Sequence, residues 1–138
     1  MIIAEIGLSH EGSLGTAHAY IDALASTGVD AIKFQTHIAE AESSSEEQFR
    51  VPFSKQDNSR FSYWKRTEFK LKEWATLKTH CDQLNVEFMS TPSCIAAVEL
   101  LEKLNVARFK VGSGDTSNLL LLKRLGKNKK PIILSTGM

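Results

Sequence analysis

Cysteine is scarce in this sequence: Cys81 and Cys94 are the two thiols, thirteen positions apart, with no Cys-x-x-Cys and no histidine pair beside them. That spacing argues against a zinc site or a disulfide framework and leaves two reduced thiols as the expectation. A surplus of charge is missing too. Seventeen Lys and Arg against sixteen Asp and Glu leave a formal charge of +1, so no global field draws the chain to nucleic acid or to an anionic membrane. Any anion site has to be local. The N-terminus, Met1-Ile2-Ile3-Ala4-Glu5, has neither a basic region nor a long apolar run, and no stretch approaches the roughly 20 apolar residues of a membrane span. A reducing, cytoplasmic setting is expected, with no nucleic-acid or membrane partner.

What is present is enough for a real core: 138 residues, 42% of them apolar, is the size of one ordinary domain. Short apolar runs alternate with longer amphipathic stretches, the pattern of repeated βα units around a parallel sheet. Strands are expected at Ile2 to Ile6, Ala31 to Gln35, Glu87 to Ser90, Arg108 to Val111 and Ile132 to Leu134. Leu14, Ala17, Ile21 and Leu24 recur at helical spacing, as do Leu71, Trp74, Leu77, Cys81 and Leu84. Two more helices follow, Ala96 to Leu104 capped by Ser93 or a neighbour, and a leucine run capped by Ser117 or Asn118 that ends near Gly126. Neither a low-complexity linker nor a sequence repeat divides the chain. One segment breaks the rhythm. Residues 36–70 are acidic, serine-rich and aromatic where a short loop would suffice, either a solvated face with aromatics packing it down or a substrate-covering excursion.

Five strands are an incomplete set for a closed (β/α)₈ barrel, which needs three more βα units and roughly 250 residues. The competing architecture is an open, doubly wound five-stranded sheet with helices on both faces. Periodicity alone does not choose between them.

The chemistry sits where each apolar run ends: Glu5; Lys33, Gln35 and His37; Ser90 and Thr91; Lys110, Ser113 and Asp115; Ser135 and Thr136. In a parallel βα sheet these carboxyl ends share one face. Lys33 and Lys110 lie inside strands, where a lysine is unfavourable unless paired; a snorkelling lysine or a buried ion pair with Glu5 is one reading, and two such lysines on one rim favour the other, an anionic ligand. Val111-Gly112-Ser113-Gly114-Asp115 and Leu134-Ser135-Thr136-Gly137 bring hydroxyls and glycine-flanked N–H groups to strand ends, which suits phosphate oxygens. A small phosphorylated acid fits these groups together. Glu5 is open to three roles, as a base, as the orienter of a hydroxyl, or as the counter-charge of a lysine. His10 and His37 match no zinc spacing and are expected as loop histidines rather than ligands.

Five stretches, in order, resemble the N-acetylneuraminate (sialic acid) synthase family: Ile2-Ile3-Ala4-Glu5-Ile6-Gly7 with His10 and Gly12, Lys33-Phe34-Gln35-Thr36, Ser90-Thr91-Pro92, Lys110-Val111-Gly112-Ser113-Gly114, and Pro131-Ile132-Ile133-Leu134-Ser135-Thr136-Gly137-Met138. The likeness covers essentially the whole chain. It implies an α/β fold of the (β/α)₈ TIM-barrel type, here truncated after about the fifth strand, with residues 1–138 as the N-terminal portion of the synthase domain. It further implies a Mn²⁺- or Mg²⁺-dependent condensation of phosphoenolpyruvate with N-acetylmannosamine or a related acylamino sugar, giving a nine-carbon 2-keto acid and phosphate. In such enzymes the metal polarises the sugar aldehyde as a Lewis acid. By motif, Lys33, Thr91 and Lys110 would hold the phosphoenolpyruvate carboxylate and neighbouring oxygens, Ser113 and Ser135 the phosphate, and Glu5 the sugar. Gln35 is a further candidate for substrate binding. Asp115 stands where many relatives have glutamate, and would place a water or meet the reacting centre with a side chain shorter by one methylene.

The chain departs from the family at Leu8-Ser9-His10-Glu11-Gly12, where relatives usually carry asparagines beside the histidine. The family's metal-binding histidines, and its C-terminal antifreeze-like domain that reaches the partner's site in the dimer, belong to parts of the parent this chain does not contain. The expectation is therefore an inactive fragment of a homodimeric parent. Alternatives are a Schiff-base aldolase using Lys33 or Lys110, another phosphoenolpyruvate-using barrel synthase, and a non-catalytic half-barrel that serves as an assembly partner.

Overall fold

A computed structural model describes residues 1–137. Met138, which closes the fifth motif, lies outside them. The elements run β1 (Ile3–Gly7), α1 (Leu14–Ala25), β2 (Ala31–Thr36), α2 (Ala39–Glu42), α3 (Arg60–Thr67), α4 (Leu71–Gln83), β3 (Glu87–Pro92), α5 (Ile95–Lys103), β4 (Phe109–Val111), α6 (Leu119–Asn128) and β5 (Ile132–Leu134), with a 3₁₀ turn at Ser113–Asp115. The five strands sit within a residue or two of their expected places. α6 passes through Gly126 and stops only at Lys129, which takes the left-handed conformation, φ 61°, that a glycine would have supplied.

β1, β2 and β3 form a parallel sheet in sequence order, and β4 and β5 form a parallel pair. Each strand lies beside its successor with no reversal. A doubly wound sheet turns back on its strand order at a switch point, so this ordering favours the barrel's single winding over the open-sheet alternative.

Alternation along each strand sorts side chains to two faces. Ile32, Phe34 and Phe88 point to the helices and join Ile21 of α1, Trp74, Leu77 and Cys81 of α4, Val98 and Leu101 of α5, and Leu121 and Leu125 of α6 in one buried cluster. Trp74, Leu77 and Cys81, at i, i+3 and i+7, are the inward stripe of α4. Burying each large apolar side chain contributes about 1.5–3 kcal/mol, which holds the helices on this face and leaves the other to Glu5, Lys33 and Gln35.

Caps set the helix starts. The Ser13 hydroxyl accepts the Thr16 N–H at 3.2 Å, and the Asn118 side chain accepts from Leu121 at 3.2 Å. At α5 the capping neighbour is Cys94 rather than Ser93, with its sulfur 3.4 Å from the Ala97 nitrogen.

Residues 36–70 are not a structureless loop. They contain two short helices, and Ser59 and Ser62 form a reciprocal capping box at the start of α3. Arg66 grips the Asp57 carboxylate through Nε and Nη2 and reaches back to Glu11. Arg60 pairs with Glu47 at 2.6 Å, and Lys65 with Glu40 and Glu68. Phe49, Phe53 and Tyr63 cluster, with centroids 4.9–6.2 Å apart, while Trp64 is buried at the base. Much of the acidic, aromatic character of the segment is thus spent on folding it down onto the strand ends.

Candidate functional site

Register places Glu5 beside Lys33 on neighbouring strands. Lys33 is buried, pairs with the Glu5 carboxylate and donates to the Thr91 hydroxyl at 3.0 Å. Of the three roles open to Glu5, neutralising this lysine is the one the geometry shows. Its carboxylate stays partly exposed, so it remains open to a ligand from above.

Lys110 donates to the Ser135 hydroxyl at 2.5 Å and to the Val111 carbonyl at 2.7 Å. Burial pushes its ammonium below the usual lysine range, the positive charge of Lys33 pushes it the same way, and Glu5 opposes both. The three groups therefore share one field. Two ammonium groups against one carboxylate leave that spot net positive, and an anion settling there would relieve the Lys110 desolvation.

Gly7 belongs to this arrangement through space rather than chemistry. It ends β1 at φ 58°, beside a register shift, and a Cβ there would lie 3.3 Å from Glu5 Oε1 and 3.5 Å from Gln35 Nε2. Glycine keeps that gap open. The chain also brings Glu5 and Gln35 to it from adjacent strands.

Ser113 and Asp115 lie on the 3₁₀ turn after β4. Asp115 lines a cavity of about 520 Å³ together with His37, Glu42, Arg60, Trp64, Ser93 and Asn118. It faces the 36–70 excursion across the mouth of the strands. The structure thus assembles Glu5, Lys33 and Thr91 in one bonded group and Lys110 and Ser135 in another beside it, with Asp115 on the rim.

The excursion, open in the sequence between a solvated face and a substrate cover, contributes side chains to this rim. His37 Nδ1 meets Glu42 Oε2 at 2.7 Å, and the imidazole stacks on Trp64 with centroids 4.9 Å apart and planes at 11°. The Arg60 guanidinium lies 4.0 Å from the same indole. The signal was available, since Lys33, Gln35 and His37 alternate onto one face. Nothing in the sequence, however, marks Glu42 or Trp64 as the partners.

His10 serves packing. It is fully buried, stacked on Phe69 at 4.5 Å, and its Nδ1 accepts the Gly12 N–H at 3.1 Å. Burial also holds both thiols protonated, Cys81 pushed up to about 12 and Cys94 to about 11. Neither is an activated nucleophile.

Comparison with known proteins gives this geometry a family. The description of the NeuB family matches residues 20–138. N,N'-diacetyllegionaminic acid synthase of Campylobacter jejuni is 36% identical over 141 residues, a match that takes in 100% of this chain and 42% of that protein. N-acetylneuraminate-9-phosphate synthase of Drosophila melanogaster is 34% identical over 145 residues, covering 99% of this chain and 37% of its own length. Among solved structures, N-acetylneuraminic acid (sialic acid) synthetase of Leptospira borgpetersenii superposes with a TM-score of 0.83 at 31% identity, over 99% of this chain and 44% of that one. A truncated 3-deoxy-D-arabino-heptulosonate 7-phosphate synthase of Thermotoga maritima shares the fold alone, with a TM-score of 0.65 at 12% identity. The chain spans less than half the length of each relative named. Sequence and fold agree, and the chain belongs to the NeuB family.

Proposed function

We propose that this chain supplies the phosphoenolpyruvate-binding side of a synthase that condenses phosphoenolpyruvate with an acylamino sugar, giving a nine-carbon 2-keto acid and phosphate. The observation that carries the reading is the pair Lys33 and Lys110, held by Thr91 and Ser135 and balanced by one carboxylate, Glu5. A trianionic or dianionic substrate is the natural fourth party. The relatives' names, synthases of diacetyllegionaminic and N-acetylneuraminic acids, fit a sugar-acid product.

In this reading Lys33, Lys110 and Thr91 take the substrate carboxylate and its neighbouring oxygens, while Ser113 and Ser135 take the phosphate. Fixing both ends leaves the methylene carbon free to attack the open-chain sugar aldehyde and form the new carbon–carbon bond. Water adds at the phosphate-bearing carbon, the carbon–oxygen bond breaks, and phosphate leaves as the ketone forms. Glu5 meets a sugar hydroxyl, and Asp115, on the rim, places the water. The parent is a homodimer working in the cytoplasm.

The divalent ion that the resemblance implies finds no seat among the described residues, which bring together no cluster of three His, Cys, Asp or Glu side chains suited to a metal. His10 is sealed in aromatic packing and His37 is engaged by Glu42.

Phosphoenolpyruvate labelled with ¹⁸O in its bridging position tests the reaction. Carbon–oxygen cleavage delivers the label to phosphate, and only when the sugar is present. Label retained in the organic product would overturn the reading. A second reading draws on the lowered Lys110 ammonium, since an amine below its usual range suits a Schiff base. Borohydride trapping with a keto acid separates the two: the synthase gives no adduct, and a mass increase at Lys110 would establish the aldolase.

A further inference from the structure

The outer seam between α1 and α4 carries a histidine cluster that the proposed reaction does not use. His18 of α1 and His80 of α4 meet with their Nδ1 atoms 2.8 Å apart and their ring centroids 4.9 Å apart, so the rings touch through these two nitrogens rather than by stacking. His80 Nε2 lies 2.9 Å from Oδ1 of Asp22, which stands one turn along α1 from His18. On the far side, His18 Nε2 is 3.5 Å from the Thr76 hydroxyl, which donates to the Glu73 carbonyl at 2.8 Å. Both rings are half-buried. With Thr76, Thr79 and Gln83 they line an open cleft of about 490 Å³, so solvent protons reach them.

Two facing ring nitrogens 2.8 Å apart have room for a single hydrogen between them. With both rings neutral the chain of bonds is complete: His80 donates Nε2–H to Asp22, and His18 donates Nδ1–H to the bare Nδ1 of His80. One extra proton leaves it complete, since either ring can become the cation while one N–H still bridges the pair. A second extra proton sets two N–H groups head on. Both rings are then cations, and Asp22 is counter-charge to one of them, not to both. The neighbouring charges of α4 are engaged elsewhere, Lys78 with Asp82 at 2.7 Å and the Glu73 carboxylate with the Lys70 backbone N–H at 2.7 Å. Burial holds His18 below the usual histidine range, the charge of His80 acts the same way, and Asp22 opposes both.

We propose that His18 and His80 form a proton-operated latch between α1 and α4, shut while at most one of the two rings is charged and released when both are. The folded chain resists the second proton, so the latch contributes fully above the unfolded histidine pKa of about 6.5 and is lost as pH falls below it. Release loosens the outer seam and leaves the packing beneath it, where Ile21 of α1 and Trp74 and Leu77 of α4 are buried in the core. The device stands apart from the synthase reading.

Hydrogen exchange in the full-length protein, read on α1 and α4 from about pH 7.5 to about pH 5 and corrected for the intrinsic pH dependence of exchange, tests the latch. The unsubstituted chain is compared with His18→Asn and with His80→Asn, in which an amide stands near the place of the imidazole Nδ1 and does not titrate. Protection of the two helices is expected to fall with pH at least about threefold more in the unsubstituted chain than in either variant, the effect of losing one hydrogen bond. The other histidines are common to all three chains and drop out of that difference. A smaller difference, with the variants simply less protected at every pH, marks a purely structural contact and would overturn the latch. If one variant does not fold, the other carries the comparison.

Discussion

In the proposed site, Lys110 offers the substrate an ammonium that burial holds below the usual lysine range. Lys110→Met keeps the aliphatic stem and removes the ammonium that bonds Ser135. Loss of one charge-assisted bond to a substrate oxygen, about 1.5–3 kcal/mol, is expected to reduce kcat/KM for phosphoenolpyruvate roughly ten- to hundredfold. An unchanged value would place the substrate elsewhere. His10 makes a prediction about pH. Desolvation lowers its pKa from 6.5 to about 4, against the smaller pull of Glu11. The unfolded chain takes up the proton near 6.5 while the folded chain resists it until about 4, so the contribution is complete above 6.5 and is lost as pH falls through that window. The full effect is about 3 kcal/mol. Melting temperatures between pH 7 and 4.5 should fall more steeply for the unsubstituted protein than for His10→Phe; parallel slopes would contradict this. Lys33 and Lys110 were legible because a lysine between apolar strand neighbours is conspicuous. Glu5 was legible as the counter-charge of a lysine; that Lys33 takes it and Lys110 takes Ser135 was not, since Glu5–Lys33 pairing depends on register across the 27 intervening residues.

Among the elements, strands and long helices could be read from periodicity because their apolar spacing coincides with what they bury, as at Trp74, Leu77 and Cys81. α2 and α3 escaped notice. α2 is only four residues, and α3 has just Trp64 and Thr67 buried among eight residues, so neither carries an apolar stripe. Besides its aromatic cluster, polar and non-local contacts fix the excursion. The Arg66 guanidinium holds the Asp57 carboxyl below its usual range, and Arg66 also donates to the Glu11 carbonyl at 2.8 Å. Gly12 stands at this junction at φ 81°, where a Cβ would come within 2.2 Å of the Arg66 carbonyl oxygen. Gly12→Ala combines a disallowed conformation with a backbone clash and is expected to destabilise the protein by about 2–4 kcal/mol. It should also increase proteolysis within residues 44–58. A melting temperature equal to that of the unsubstituted protein would show that the junction moves freely.

For the whole molecule, the sequential order β1-β2-β3 and the β4-β5 pair favour the barrel where periodicity did not choose, because barrel and open sheet share the same local pattern and differ only in how strands meet. The match to 42% of the Campylobacter jejuni synthase frames the remaining expectation: the 138-residue chain by itself should release no phosphate, and detectable metal-stimulated release by it would refute that. The most direct measurement is phosphate release from phosphoenolpyruvate by the full-length protein, with and without N-acetylmannosamine or its diacetylated analogue, and with and without Mn²⁺, beside Lys110→Ala and Glu5→Ala. Metal-stimulated release that needs one of these sugars and disappears in both variants is the expected result. Release that ignores the sugar, or that survives loss of Lys110 and Glu5, would contradict a synthase site built on these strand ends.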